Sequence, residues 1–583
     1  MSLPVTPVDP AVLRRRIRVA RGLEPGDLFL KGAQVVNVFT QQLHEADVVI
    51  ADGFVAGVGP YRWEAAMEIS VAGSVIFPSL IDAHIHLEST LLLPGELARL
   101  IVPHGTGTVI ADPHEIANVM GIRGVELLVA QSQGLPLDMY FMAPSCVPAV
   151  NWEHAGARLD AAAINELLQI PGVLGLGEMM NFPGVLEGDD DVLEKIATTA
   201  ARRAVIDGHA PGVTGRDLLA YAAAGIRSDH ESTEIAEARA KAALGMLLQV
   251  REGSIARNLD TLTPLLLEEG IGDWCLCTDD IHPDDLAANG HLDALLRRLV
   301  AAGMPPERAI RHTTLVPARH YGLADRGAVA PGYKADLVVA DDLTEFGVSL
   351  VIKNGRVVAR GGRYLGETVP CEIRPDNTVH LPALDESAFG LSAGLPDGGG
   401  ASPVIGIVED QIITRHLSRS VKRSDDGLWA FDPDVDVVVI ASIERHRASG
   451  SIGLGLVEGF GFRRHGALGS SVAHDSHNLI IAGTNPTDML LCARALAETG
   501  GGFVVAAGGA IAGRLPLPVA GLLSMSDAET VCRQLIEVRQ AARALGSQLP
   551  CPFGTLSFLA LSVIPELRIT DQGLYDVVNQ RFV

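Results

Sequence analysis

Residues 79–86 read SLIDAHIH, and this octapeptide decides how the rest of the chain is parsed. An apolar lead runs into His84 and His86, two residues apart. Positions two apart in a strand share a face, so both imidazoles project from one side of a strand end. Outward from this point, strand-like and helix-like stretches alternate as far as residue 324. GTVIAD (107–112), DMYFMA (138–143), VLGLGE (173–178), AVIDGH (204–209), GIRSDH (225–230), MLLQV (246–250) and DWCLCTDD (273–280) read as further strands. Helix-like stretches such as GVELLVAQSQG (124–134) and EIAEARAKAAL (234–244) lie between them. Eight such units in about 245 residues match an α/β fold of the (β/α)8 barrel type. An open doubly wound sheet is the competing parse. It expects a glycine-rich phosphate loop after its first strand, and none follows residue 86.

The flanks of this stretch are β-rich. DLFLKGAQVVNVF (27–39) and ADVVIADGFVAGVG (46–59) read as strands, with Asp52-Gly53 as a hairpin turn. The pattern returns in KADLVVADD (334–342) and SLVIKNGRVVARGGRY (349–364), where Asn354-Gly355 is a second such turn. After an N-terminal extension (1–24), residues 25–78 and 325–370 are therefore expected to pair into one discontinuous β-sandwich domain around the barrel (79–324). A linker follows (371–403), loose near SAGLPDGGGASP (392–403). Residues 404–583 read as a C-terminal α/β or α+β domain. Its expected strands are VDVVVIASIE (435–444), NLIIAGT (478–484) and GGFVVAAGG (501–509); its helices are TDMLLCARALAET (487–499) and DAETVCRQLIEVRQAARALG (527–546).

Bulk properties bound the function. The 583 residues are 48% hydrophobic and 20% charged, as expected of a folded multidomain chain. A net charge of −24 repels phosphate backbones and argues against a nucleic-acid partner, whereas an uncharged base is not repelled. Seven dispersed cysteines without a CxxC pair suit a reducing, cytoplasmic setting. Neither a signal peptide nor a membrane-spanning apolar run is apparent. Several domains with a large apolar content suggest a homodimer or higher homo-oligomer.

The chemistry gathers at strand ends. Glu178 closes the fourth strand, His209 the fifth, His230 the sixth and Asp279 the eighth. In a barrel these ends converge on one face, where active sites of this fold lie. His, Glu and Asp together suit a divalent ion such as Zn, Fe or Mn, and burying them unpaired would be costly. Asp112 and His114 end the second strand: His114 reads as a substrate contact, Asp112 as a support for a ligating histidine, or Asp112-Pro113 as simply a strand-ending turn. Cys146 reads as a packed thiol, and Met179 and Met180 as pocket wall or core. The polar run His474-Asp475-Ser476-His477-Asn478 reads as a second metal site, a lid over the barrel mouth, or a surface turn.

FPSLIDAHIHLEST (77–90) resembles the first-strand motif of the amidohydrolase superfamily. GTGTVIADPHEIANVMG (105–121), GLGEMMNFPGV (175–185), DGHAPGVTGRDLLAY (207–221), IRSDHESTEIAEARAKAALGM (226–246) and CTDDIHPDDL (277–286) resemble bacterial-type adenine deaminases, as does VAHDSHNLIIAGTN (472–485). The resemblance covers essentially the whole chain. It implies a barrel with a β-sandwich, and the hydrolysis of adenine to hypoxanthine and ammonia by a metal-bound hydroxide. It also implies that His84, His86 and Asp279 hold one divalent metal, His209 and His230 a second, and that Glu178 bridges the two. A single ion on His84, His86, His209 and Asp279, with His230 orienting water, is the alternative. Asp279 is the expected proton shuttle. HAPG (209–212) carries no acid after the fifth-strand histidine, so the acid that protonates the purine ring comes from elsewhere: Glu178, Asp112, His114 or Glu115. A dihydropyrimidinase-type hydrolase usually carries lysine where Glu178 stands, and a metal-free scaffold relative would have lost ligands that this chain keeps.

Overall fold

The computed structural model describes residues 9–366, 373–391, 401–409, 411–425 and 427–583. All eight strands expected for the barrel are present: β1 (Leu80–Ile85), β2 (Thr106–Ala111), β3 (Asp138–Ala143), β4 (Val173–Met179), β5 (Val205–Gly208), β6 (Ser228–Asp229), β7 (Leu247–Arg251) and β8 (Trp274–Cys277). β1 to β5 form one parallel arc in chain order, and β6 to β8 form another. Backbone hydrogen bonds close both seams. Arg227 N–H donates to the Ile206 carbonyl (3.2 Å) between β5 and β6. Just past β8 and β1, Asp279 N–H donates to His84 (2.9 Å) and His86 N–H to Asp279 (3.1 Å).

Helices pack around this ring by apolar stripes. In Leu292–Ala301 the buried apolar residues are Leu292, Leu295, Leu296 and Leu299, the three-four spacing of one helical face, and they pack with Trp274 and Leu276 of β8. Asp189 starts Asp190–Ala201 by accepting the Val192 N–H at 3.1 Å.

The two flanking β segments do pair. A nine-stranded sheet joins strands from Gly26–Asn37 to Val75–Pro78 with Leu337–Ala340, Val348–Lys353, Arg356–Arg360 and Arg363–Tyr364. Val75–Pro78 aligns antiparallel with Leu337–Ala340, sewing the N-terminal half to the part that follows the barrel. Both expected hairpins have positive φ at each central residue: 54° and 76° at Asp52-Gly53, 48° and 77° at Asn354-Gly355. The two turns also touch. A Cβ on Gly53 would lie 3.1 Å from the Asn354 carbonyl oxygen, and one on Gly355 would lie 3.2 Å from the Gly53 Cα.

The C-terminal sheet is larger than expected. Eight strands run Thr414–Arg419, Ser402–Ile407, Ile452–Glu458, Val437–Ile443, Leu479–Gly483, Ala467–Ser470, Gly502–Ala507, Ala510–Pro516. Strand alternation splits Val437–Ile443. Val437, Val439, Ala441 and Ile443 join a core with helix Pro486–Thr499. Val438 and Ile440 join one with helix Ala528–Leu545 and with Leu87, Leu92 and Leu97 beside the barrel. A continuous apolar core thus fixes this domain on the barrel. The expected loose linker is corrected in part. Residues 392–400 lie outside the described residues, but Val379, Phe389 and Leu391 are buried in the C-terminal core, and residue 402 already begins a strand. Among the described residues, no helix is long and apolar enough to cross a membrane.

Candidate metal centre and active site

The ends of β1, β4, β5, β6 and β8 bring the six expected ligands into one buried cluster. His84 and His86 converge with their Nε2 atoms 3.2 Å apart. Asp279 Oδ1 lies 3.4 Å from the first and 3.0 Å from the second. Asp279 has left-handed φ (58°), uncommon for a residue with a side chain, and the two seam hydrogen bonds to β1 hold it there. Glu178 sits in the middle and divides its oxygens. Oε1 lies 3.3 Å from His86 Nε2, while Oε2 lies 2.6 Å from His209 Nδ1 and 3.1 Å from His230 Nε2. The His230 ring stacks on His84 with centroids 4.2 Å apart. Six lone-pair donors aimed at one another in a water-poor interior are the donor set of a cation site. The charges respond accordingly. Burial alone would lower His230, but the hydrogen bond to Glu178 and its charge carry it up to about 9. Burial opposes ionisation of Glu178 too, yet the facing His209 and His230 hold it well below the usual carboxylate range.

Asp112 and His114 have separate tasks. The Asp112 carboxylate is turned onto the backbone, where Oδ2 accepts the Glu178 N–H at 2.8 Å, and its carbonyl oxygen lies 2.9 Å from His86 Nδ1. It supports Glu178 and His86 and does not line the cavity, which corrects the expectation of Asp112 as an acid. Glu115 is likewise withdrawn, with Ser89 Oγ donating to Oε1 at 3.2 Å and His477 3.8 Å from Oε2. His114 does face the cavity. Its Nδ1 is 3.5 Å from Glu178 Oε1, and its Nε2 is 3.7 Å from Asp475 Oδ1. Burial lowers it, but Asp475 overrides this and raises it to about 10. Cys146 is a packed thiol, as expected, pushed up by burial. Met179 lies in the core and Met180 on the cavity wall.

Two groups at the site escaped the sequence reading. Glu231, 4% exposed, lies 3.4 Å from His230 Nε2 and 3.6 Å from His209 Nδ1. Arg251, at the end of β7, pairs with Glu231 through two hydrogen bonds and with Asp279 Oδ2 at 2.8 Å. Alternation hid Glu231, since a neighbour of His230 in a strand would point away. β6 ends at Asp229, however, and beyond it the rule lapses.

The C-terminal domain roofs the cavity. Ile412, His474, Asp475, Phe558, Leu561 and Ile564 face the barrel groups across it. His474 stacks on Phe558 with centroids 4.5 Å apart. The His474–Asn478 segment is therefore buried at the barrel mouth and is not a surface turn.

The amidohydrolase family pattern matches residues 75–358, and that of the adenine deaminase C-terminal domain matches residues 411–581. The chain is 43% identical over 572 residues to an adenine deaminase of Kosmotoga olearia, covering 97% of this chain and 98% of that one. It is 45% identical to one of Nitratidesulfovibrio vulgaris, with 97% of each chain covered. It is 46% identical to one of Methanothrix thermoacetophila, over 96% of this chain and 97% of that one.

Proposed function

Because this chain belongs to the adenine deaminase family of amidohydrolases, we propose that the cluster centred on Glu178 is where adenine and water become hypoxanthine and ammonia. The observation that carries this is the convergence of four imidazoles and two carboxylates under a roof of apolar side chains.

The donor set fits divalent first-row cations. His84, His86 and Asp279 would hold one, His209 and His230 a second, and Glu178 would reach both, because its two oxygens face different histidines. Bound there, the metal supplies water acidic enough to lose a proton near neutral pH.

The remaining work falls to side chains. Asp279 presents Oδ1 to the cluster while Arg251 fixes Oδ2, so it stands where a proton leaves the attacking water and reaches the departing amine. Glu231 lies beside His209 and His230, on the far side of Glu178 from His114, and its carboxylate takes the water's other proton and passes it to ring N1. His114 contacts the other edge of the base. Asp112 holds the Glu178 backbone in register. The apolar roof of Ile412, Leu561 and Ile564 keeps bulk water from the reacting carbon.

Purified protein stripped of metal and reloaded separately with Mn, Fe or Zn, then assayed for ammonia and hypoxanthine, tests the reading. Adenine left unchanged under all three loadings would sink it. Metal content per chain distinguishes one ion from two, and an unchanged content in Glu178→Gln counts against the bridge. The cytoplasmic setting and a homo-oligomeric state belong to the same proposal. The free state of the described cysteines is consistent with the first.

A further inference from the structure

The roof of the cavity carries a polar group that the reaction just described does not use. Asp475 is 2% exposed and lines the cavity, and its Oδ2 accepts no hydrogen bond from any described residue. Its other oxygen has ion-pair partners: Oδ1 lies 3.7 Å from His114 Nε2 and 3.7 Å from His474 Nδ1. A buried carboxylate oxygen with open acceptor capacity is costly unless a donor arrives with the substrate. The donor has to come from the side of the cavity opposite Glu231. Spatially, Glu178 and His114 come between the two, with His114 Nδ1 3.5 Å from Glu178 Oε1.

A purine placed with C6 at the cluster and N1 towards Glu231 turns its five-membered ring towards His114 and Asp475. That ring carries an N–H in the free base. In a nucleoside or any N9-alkylated purine the hydrogen is gone, and carbon stands in its place. The surroundings add a steric barrier, because the Phe558 ring, stacked on His474 next to Asp475, lines the cavity there. We infer that Asp475, supplied by the C-terminal domain, is the specificity residue of the site: its Oδ2 accepts the imidazole N–H of a free purine base, and this contact excludes N9-substituted purines. The inference rests on the purine deaminase reading above and adds to it the edge of the base that the second domain reads.

Two probes without a 6-amino group separate this contact from the chemistry: unsubstituted purine and 9-methylpurine. Both are measured as competitive inhibitors of adenine turnover by the metal-loaded enzyme, and by calorimetric binding to the same protein. The unmutated enzyme is expected to bind purine at least about tenfold more tightly than 9-methylpurine, the scale of a hydrogen bond to a buried charge. In Asp475→Asn and Asp475→Ala the preference should shrink, in the alanine variant to about twofold or less, with metal content unchanged. Adenine KM should rise more than kcat falls. Equal affinity of the unmutated enzyme for the two probes overturns the inference without recourse to any variant. So does an undiminished preference in both variants accompanied by an altered pH profile of kcat, which would make Asp475 a positioning residue for His114. Adenine turnover by the unmutated enzyme is scored separately, so failure of the activity and failure of the subsite give different results.

Discussion

Asp279 ties together several groups of the cluster. It occupies a left-handed backbone position, faces two imidazoles and takes an ion pair from Arg251. Asparagine has the same shape and tolerates left-handed φ better than most residues. Asp279→Asn should therefore keep its circular dichroism spectrum while kcat falls by roughly 100-fold to 10,000-fold, the range for loss of a positioned acid–base group; ammonia release measures it. A second residue gives a pH dependence of stability. His312 stacks on Trp274 with rings 4.2 Å apart, and burial pushes it down to about 4 from an ordinary 6.5. The folded chain keeps it neutral, whereas the unfolded chain protonates it first. Its contribution is full above about 6.5, and it declines as pH falls towards 4, by about 3 kcal/mol in all. His312→Gln should flatten the fall in Tm across that window; an unchanged slope would discount the residue. The six clustered side chains were legible because strands ended in ionisable groups. Arg251 was not, since a lone arginine after an apolar strand has a solvated end as its ordinary reading.

Elements were most legible where one period dominates. The barrel strands are short apolar runs between helical stretches, and each is found within a few residues of its expected place. The C-terminal sheet was read less completely. Thr414–Arg419 (TRHLSR) is a mostly polar edge strand, and Ile452–Glu458 (IGLGLVE) spends two positions on glycine, so neither carries a strong β pattern. Phe389 and Val379 were hidden in a stretch whose composition suggested a spacer, because local sequence does not reveal that a distant sheet supplies their core. One strand end makes a test. Lys353 closes Val348–Lys353, and its Nζ reaches Asp138 (2.5 Å), Asp336 (2.8 Å) and the Gly107 carbonyl (2.8 Å), joining the β domain to the barrel rim remote from the catalytic mouth. Lys353→Met leaves Asp336 buried without that partner and should lower stability by about 3 kcal/mol in urea unfolding. Activity per folded molecule should stay as it was; a large loss of kcat would mean that the two rims are coupled.

At the scale of the molecule, barrel and C-terminal domain share apolar cores and a cavity. Leu92 and Leu97 of one pack in the same cluster as Ile440, Ile480 and Val531 of the other. Scanning calorimetry should therefore resolve one transition for the pair; two well-separated endotherms would show that the shared core is weak. The discontinuous β domain has a different consequence, one in time. Val75–Pro78 waits for Leu337–Ala340, which leaves the ribosome roughly 260 residues later, on the order of tens of seconds of elongation. Until then the nascent half-sheet presents an unpaired apolar border, so chains stalled in the barrel are the species that chaperones must shelter.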